Sequence, residues 1–198
     1  MKKDKYPVWL FWICIVFWII LAINPVSRFV WFLESIPSFV FAPLIIWGYK
    51  KKIFSNVSYT MIALFFIIHT IGAHYTYSNT PFLSEINGVK LQRDYFDRVA
   101  HFSFGLLIAF PLREIFMKLM SLKGFWSYQV PWSAVVSLSA MYELLEWGIA
   151  SVTAPFYANA YLGIQGDQWD SQKDMLLADF GALIAMALTY FKSHKKRK

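Results

Sequence analysis

The sequence predicts an all-α, polytopic integral membrane protein: one membrane domain over residues 1–198, built as a bundle of six transmembrane helices. Three observations predict it. Hydrophobic residues make up 58% of the chain and charged residues only 16%, too apolar a mixture for the surface of an ordinary soluble domain. Six apolar stretches approach the ~20 residues that a helix needs to cross the hydrocarbon core of a bilayer. Fourteen of the 19 Lys and Arg residues fall in four groups that six crossings would place on one side.

The first helix is predicted at roughly 7–23. It follows the basic start MKKDK, as a secretory signal would, but no small-x-small cleavage site follows its apolar run, so it reads as an uncleaved span. The second, roughly 29–49, is interrupted by Glu34, Pro37 and Pro43, and a re-entrant or interfacial segment is the alternative. The third, roughly 57–75, ends in HTIGAHYTY. The fourth, roughly 96–116, opens after RDYFD, and the fifth, roughly 131–152, contains MYELLEWG. The sixth, roughly 175–191, follows the polar run GDQWDSQKD.

Charge decides the second helix. The basic groups are Lys2, Lys3 and Lys5; Lys50, Lys51 and Lys52; Arg113, Lys118 and Lys123; and Lys192, Lys195, Lys196, Arg197 and Lys198. All four share a face only if the second stretch spans, which predicts that both termini are cytoplasmic. A net charge of +7 distributed in this way marks membrane topology and a lipid bilayer as partner, with no nucleic acid implied. The lone Cys14 sits in an apolar run and cannot form an intrachain disulfide.

Two polar loops, 76–95 and 153–173, then lie on the outer side, and the ionisable residues of the spans gather near them. A charge inside a span is expensive, so each is a functional-site hypothesis by default. Asp97 and His101 are one turn apart on the fourth helix, and Glu143 and Glu146 share a face of the fifth. His69, His74 and Glu34 also fall in the outer half, and the sixth helix starts at about Asp170 to Asp174 with Asp179 inside it, roughly two turns below Asp170. Bland readings stand beside these: Ser171 and Asp174 match a capping box, Asp97 complements a helix dipole, and His74 and Trp169 suit an interface.

The two glutamates need a neutralising partner from another helix: a proton, His101, Arg93 or Arg98, or a divalent cation. Carboxylates and imidazoles projecting inward from facing helices are how bundles build metal sites. The expected site therefore has Glu143, Glu146, Asp97 and His101 as candidate catalytic groups and His101, Glu143 and Asp174 as candidate metal ligands. Trp169, Asp170 and Arg93 are candidate substrate contacts in the loop above. Ser103 and Ser139 lack the local signature of a nucleophile.

IGAHYTY at 71–77, RDYFDRVAHFSFG at 93–105, YELLEW at 142–147 and GDQWDSQKDMLLADFGA at 166–182 together resemble the YjdF family of bacterial inner-membrane proteins. Asp97, His101, Glu143, Asp174 and Gly181 are also similar, in order and spacing, to a broader VanZ-like group, some of whose members are linked to glycopeptide resistance. The resemblance implies the bacterial cytoplasmic membrane and supplies no activity.

Three functions fit these residues. The first is an enzyme using a divalent metal or acid-base groups on an envelope lipid or glycan. The second is a proton-coupled transporter, which would need polar groups continuing to the inner side. The third is a non-enzymatic scaffold or envelope modulator, in which the acid pairs are interhelical connectors.

Overall fold

The computed structural model describes residues 5–81, 85–86, 89–91, 93–154, 158, 161–162 and 165–195. Among them are six long helices: α1 (Tyr6–Leu21), α2 (Arg28–Lys50), α3 (Asn56–His74), α4 (Phe96–Leu119), α5 (Trp126–Val152) and α6 (Asp170–Lys195). Five of these, α2 to α6, are long and apolar enough to cross a membrane, whereas α1 has 16 residues and is shorter. This is a polytopic helical membrane protein. The basic residues Lys2, Lys3, Lys196, Arg197 and Lys198 lie outside the described residues.

Local chemistry sets the helix ends. Pro7 opens α1, where its missing N–H would be unpaired in any case. The Ser27 hydroxyl accepts from Val30 N at 3.3 Å to cap α2, and the Ser55 hydroxyl accepts from Ser58 N at 3.3 Å to cap α3. Helix α2 continues through both prolines to Lys50, so the break that Pro37 and Pro43 suggested does not form. Helix α5 begins at Trp126, a turn earlier than expected, and α6 at Asp170, because polar first turns extend both helices beyond their apolar cores. A two-residue ladder, Glu85–Ile86 against Val89–Lys90, is the one strand pairing among the described residues and departs from the all-α expectation.

Helices α4 and α6 form the centre. Gly105 of α4 lies against the Ala178 carbonyl and the Ala182 amide of α6, and Gly181 of α6 lies against Phe102 and Leu106 of α4. A methyl group at either glycine would meet backbone, which cannot move aside. Small residues that let two backbones touch drive helix association in a bilayer, where burial of apolar surface gives no advantage over lipid. Ala109, Val135, Ala182, Ala185 and Met186 continue this packing through the interior, and α5 covers one side of it while α3 covers α4.

The two ends of the bundle differ in chemistry. At one end Glu114 of α4 accepts from Ser55 N at 2.8 Å and from the Ser58 hydroxyl at 2.7 Å, and Arg113 lies 4.5 Å from the centre of the Tyr128 ring. Tyr128 meets Tyr190 of α6, and Tyr6 of α1 hydrogen bonds Thr60 of α3 at 2.7 Å, so the described members of all four basic groups surround one end. The opposite end carries the acids.

Candidate functional site

Helix α4 enters the bundle at the end opposite the basic groups, and its first turns bring Asp97 and His101 to the interior. The His101 Nε2 atom lies 3.5 Å from Asp97 Oδ1 and 3.4 Å from Oε1 of Glu143 on α5. Asp174 enters from α6, and one ligand atom each from Asp97, His101 and Asp174 lies within 4.8 Å of the others. Three helices thus deliver four predicted residues to one point, with Asp97 closing the trio and Glu143 touching its imidazole.

Two oxygens there lack hydrogen-bond donors. Asp174 Oδ1 is buried without a hydrogen-bonding partner among the described residues, Glu143 Oε1 has only the long 3.4 Å approach of His101 Nε2 and no formed hydrogen bond, and Asp174 as a whole is only 2% exposed. A buried acceptor left without a donor is costly, and a cation among these oxygens would satisfy both at once. The donor set of carboxylates and one imidazole suits zinc, manganese or magnesium. Asp174 is available because α6 already begins at Asp170, which puts Ser171 and Asp174 within its first two turns and leaves the anticipated capping box unformed. The N–H of Trp169 is taken instead by Asp167 Oδ1 at 3.1 Å.

Other predicted residues go elsewhere. Arg93 pairs with Asp170 at 2.5 Å, and Arg98 pairs with Asp167 at 2.5 Å and Asp170 at 3.4 Å, so the ion pairs seen for both arginines are with these two aspartates. Arg93 and Asp170, expected to meet substrate, therefore hold each other over the site, while Trp169 is 57% exposed at its rim. Lys173 also reaches Asp167, at 2.7 Å. Donation from Lys173, from the Trp169 backbone and from Arg98 holds the Asp167 carboxyl below the usual carboxylate range. Asp179 accepts from the Trp132 indole at 2.5 Å, which makes it a tie between α5 and α6. Glu146 lies in the electrostatic field of Glu34, Glu143 and Asp97, one turn beyond Glu143.

Sequence reasoning missed a set of neutral partners. The Tyr142 hydroxyl donates to Glu34 Oε2 at 2.6 Å, and its ring stands 6.2 Å from that of His101. His69 Nε2 lies 2.8 Å from the Glu34 carbonyl oxygen, which can only accept, so this nitrogen carries the proton. The other ring nitrogen of His69 is 2.6 Å from the Tyr77 hydroxyl. Above them, Asp94 accepts from Thr80 N at 2.5 Å and from the Thr80 hydroxyl at 2.7 Å. The Gln165 amide pairs with both the N–H and the C=O of Asp94, at 2.8 and 3.1 Å. Tyrosines in IGAHYTY and YELLEW could have been read as carboxylate and imidazole donors; nothing in the sequence pairs Gln165 with Asp94.

A family described as "Predicted membrane protein (DUF2238)" matches residues 6–195. The chain belongs to this family. It is also 35% identical to the inner membrane protein YjdF of Escherichia coli (strain K12) over 160 residues, covering 79% of this chain and 76% of YjdF. No solved structure matches. The resemblance read from the four motifs is thereby established, and the wider VanZ-like likeness stays with the few residues that suggested it.

Proposed function

We propose that the outer-end cluster binds a divalent cation and serves chemistry on an amphiphile of the bacterial envelope. The observation that carries this reading is the meeting of Asp97, His101 and Asp174 within 4.8 Å, beside the orphaned oxygens of Asp174 and Glu143. A bound cation would polarise a phosphoryl or carbonyl oxygen, or lower the pKa of water. The chain's own groups supply the rest. Asp97, His101 and Asp174 hold the cation, Glu143 orients the imidazole, and Glu146 exchanges a proton with the reacting group. Trp169 lies against the headgroup at the rim.

Transport is less well supported, because the space between α4, α5 and α6 inward of the cluster is filled by Ala109, Val135, Ala182, Ala185 and Met186. A proton or ion relay needs a continuous chain of polar groups, whereas at that depth Asp179, tied to the Trp132 indole, is flanked by these apolar side chains. A scaffold role leaves the orphaned oxygens without purpose.

The likeness to an inner-membrane protein supports the bacterial cytoplasmic membrane as the location. The basic end then faces the cytoplasm, with both termini there and the cluster towards the outer leaflet. This topology takes α1 as the sixth span, about 24 Å long at 1.5 Å per residue, short for the hydrocarbon core. Local thinning and its aromatic flanks accommodate such a mismatch.

The test is metal content after purification in detergent without added metal and after dialysis against zinc, manganese or magnesium. One equivalent per chain is expected, lost in Asp174→Asn and His101→Ala variants that remain monodisperse. A stable, monodisperse parent that holds none under any of these conditions refutes the cation reading.

A further inference from the structure

The carboxylate site has two conceivable approaches, one through the outer loops and one sideways from the bilayer, and they are closed by very different means. The loops are clasped by charge. Arg93 holds Asp170, Arg98 and Lys173 hold Asp167, and Gln165 and Thr80 both hold Asp94. Charge-assisted hydrogen bonds are roughly twice as strong as neutral ones, and several must break together for this roof to lift.

The side is different. Helix α2 packs on α3, and α5 packs on α4 and α6, but α2 and α5 form no extended packing with each other. Among the described residues the polar tie between them is a single hydrogen bond, Tyr142 to Glu34. Phe32 and Ile36 of α2, and Met141 and Leu145 of α5, are exposed on these helices and suit acyl chains. Directly behind the tie, the Tyr142 ring faces His101.

We propose that the Glu34–Tyr142 hydrogen bond is the gate of a lateral entrance, through which the headgroup of an outer-leaflet lipid reaches the carboxylate site from within the bilayer. The gate is made of side chains. His69 holds the main-chain carbonyl of Glu34 in place, so α2 stays seated while the Glu34 carboxyl and the Tyr142 ring turn aside. The headgroup's own hydroxyls or amines then replace the bond that opens. This inference rests on the proposed function for its destination, but the route can be measured without any metal or substrate.

The probe is thiol modification in proteoliposomes. Cys14 is first replaced by alanine, and a reporter cysteine is placed at the site as Glu146→Cys, with Ser139→Cys, small and buried one turn below Glu143, as a second reporter. Each is treated with a membrane-partitioning maleimide or with a charged, impermeant thiosulfonate. The lipid-borne reagent should react faster, and Tyr142→Phe should speed it a further two- to tenfold, the effect of one lost hydrogen bond. Gln165→Ala, which loosens the roof, should leave that rate unchanged. Faster reaction from water, accelerated by Gln165→Ala and indifferent to Tyr142→Phe, would overturn the entrance. A protein that binds no metal yet shows the Tyr142 effect keeps the entrance and loses the cation; one that binds metal without the effect does the reverse.

Discussion

Replacing Gly181 by alanine adds one methyl group at the tightest point of the bundle. The new carbon would lie 2.7 Å from Leu106 N and closer still to the Phe102 carbonyl oxygen, where about 3.4 Å is the ordinary limit of contact. Both neighbours are backbone, and the nearer one sets the requirement, so α4 and α6 must separate locally by ~1 Å or rotate. Overpacking of this kind costs about 1–3 kcal/mol, a factor of roughly 5 to 150 in the folding equilibrium. The displacement also reaches the cluster. Asp174 lies seven residues, or about 10 Å, back towards the start of α6, and His101 four residues before Gly105 on α4. Gly181→Ala should therefore lower stability in a reversible detergent-unfolding assay and weaken metal retention as well, although no ligand is touched. Unchanged stability would show that the two backbones are not in contact at this point. Lower stability with undiminished metal affinity would show instead that the seam and the site are mechanically separate.

Three further outcomes follow from single contacts. Trp132→Phe removes the donor from the Asp179 carboxylate inside the bundle and should cost about 1–3 kcal/mol while leaving metal content unchanged; a loss of metal would place Asp179 in the site after all. Glu114→Ala strips the acceptor from Ser55 N and the Ser58 hydroxyl and should cost about 1 kcal/mol, most visibly as faster amide exchange in the first turn of α3, and unchanged exchange there would discount the contact. Because the Asp167 carboxyl titrates below its unfolded value of about 3.9, its contribution is fully present above that pH and is lost only as the pH falls through the depressed folded value. Trp169 fluorescence should accordingly stay flat from pH 7 to about 4 and change only below, whereas a transition centred near pH 6 would mean that the clasp is governed by another group.

Helix positions were legible because lipid imposes a simple rule: runs of apolar residues near 20 must be helical, and lysines at their ends must stay in water. The rule is blind to polar first turns, and so the starts of α5 and α6 were placed about five residues late. It is equally blind to the ladder of Glu85–Ile86 with Val89–Lys90, although Asn-Gly between two β-branched residues is a hairpin signature in its own right. Within the site, periodicity paired Asp97 with His101 and Glu143 with Glu146, since each pair lies on one helix. The partners across helices were only partly recoverable. Charge alone offers Arg93 or Arg98 as one of several partners for the glutamates, beside a proton, His101 or a cation, and does not reveal that the loop folds Asp167 and Asp170 against both arginines. The Gly105–Gly181 contact depends on the relative rotation of two helices, which no single-helix pattern specifies.

The Gln165 amide completes the hydrogen bonding of Asp94 as an adjoining strand would, and it does so across 71 residues of chain. The foot of one central helix is thereby pinned to the approach of the other from above, while the facing glycines pin the same two helices from the side. A pair of rods held at two points along their length can neither slide nor roll against each other. The Asp97, His101 and Asp174 trio is carried entirely by this pinned pair, so its spacing is set by the two helices that are held fast.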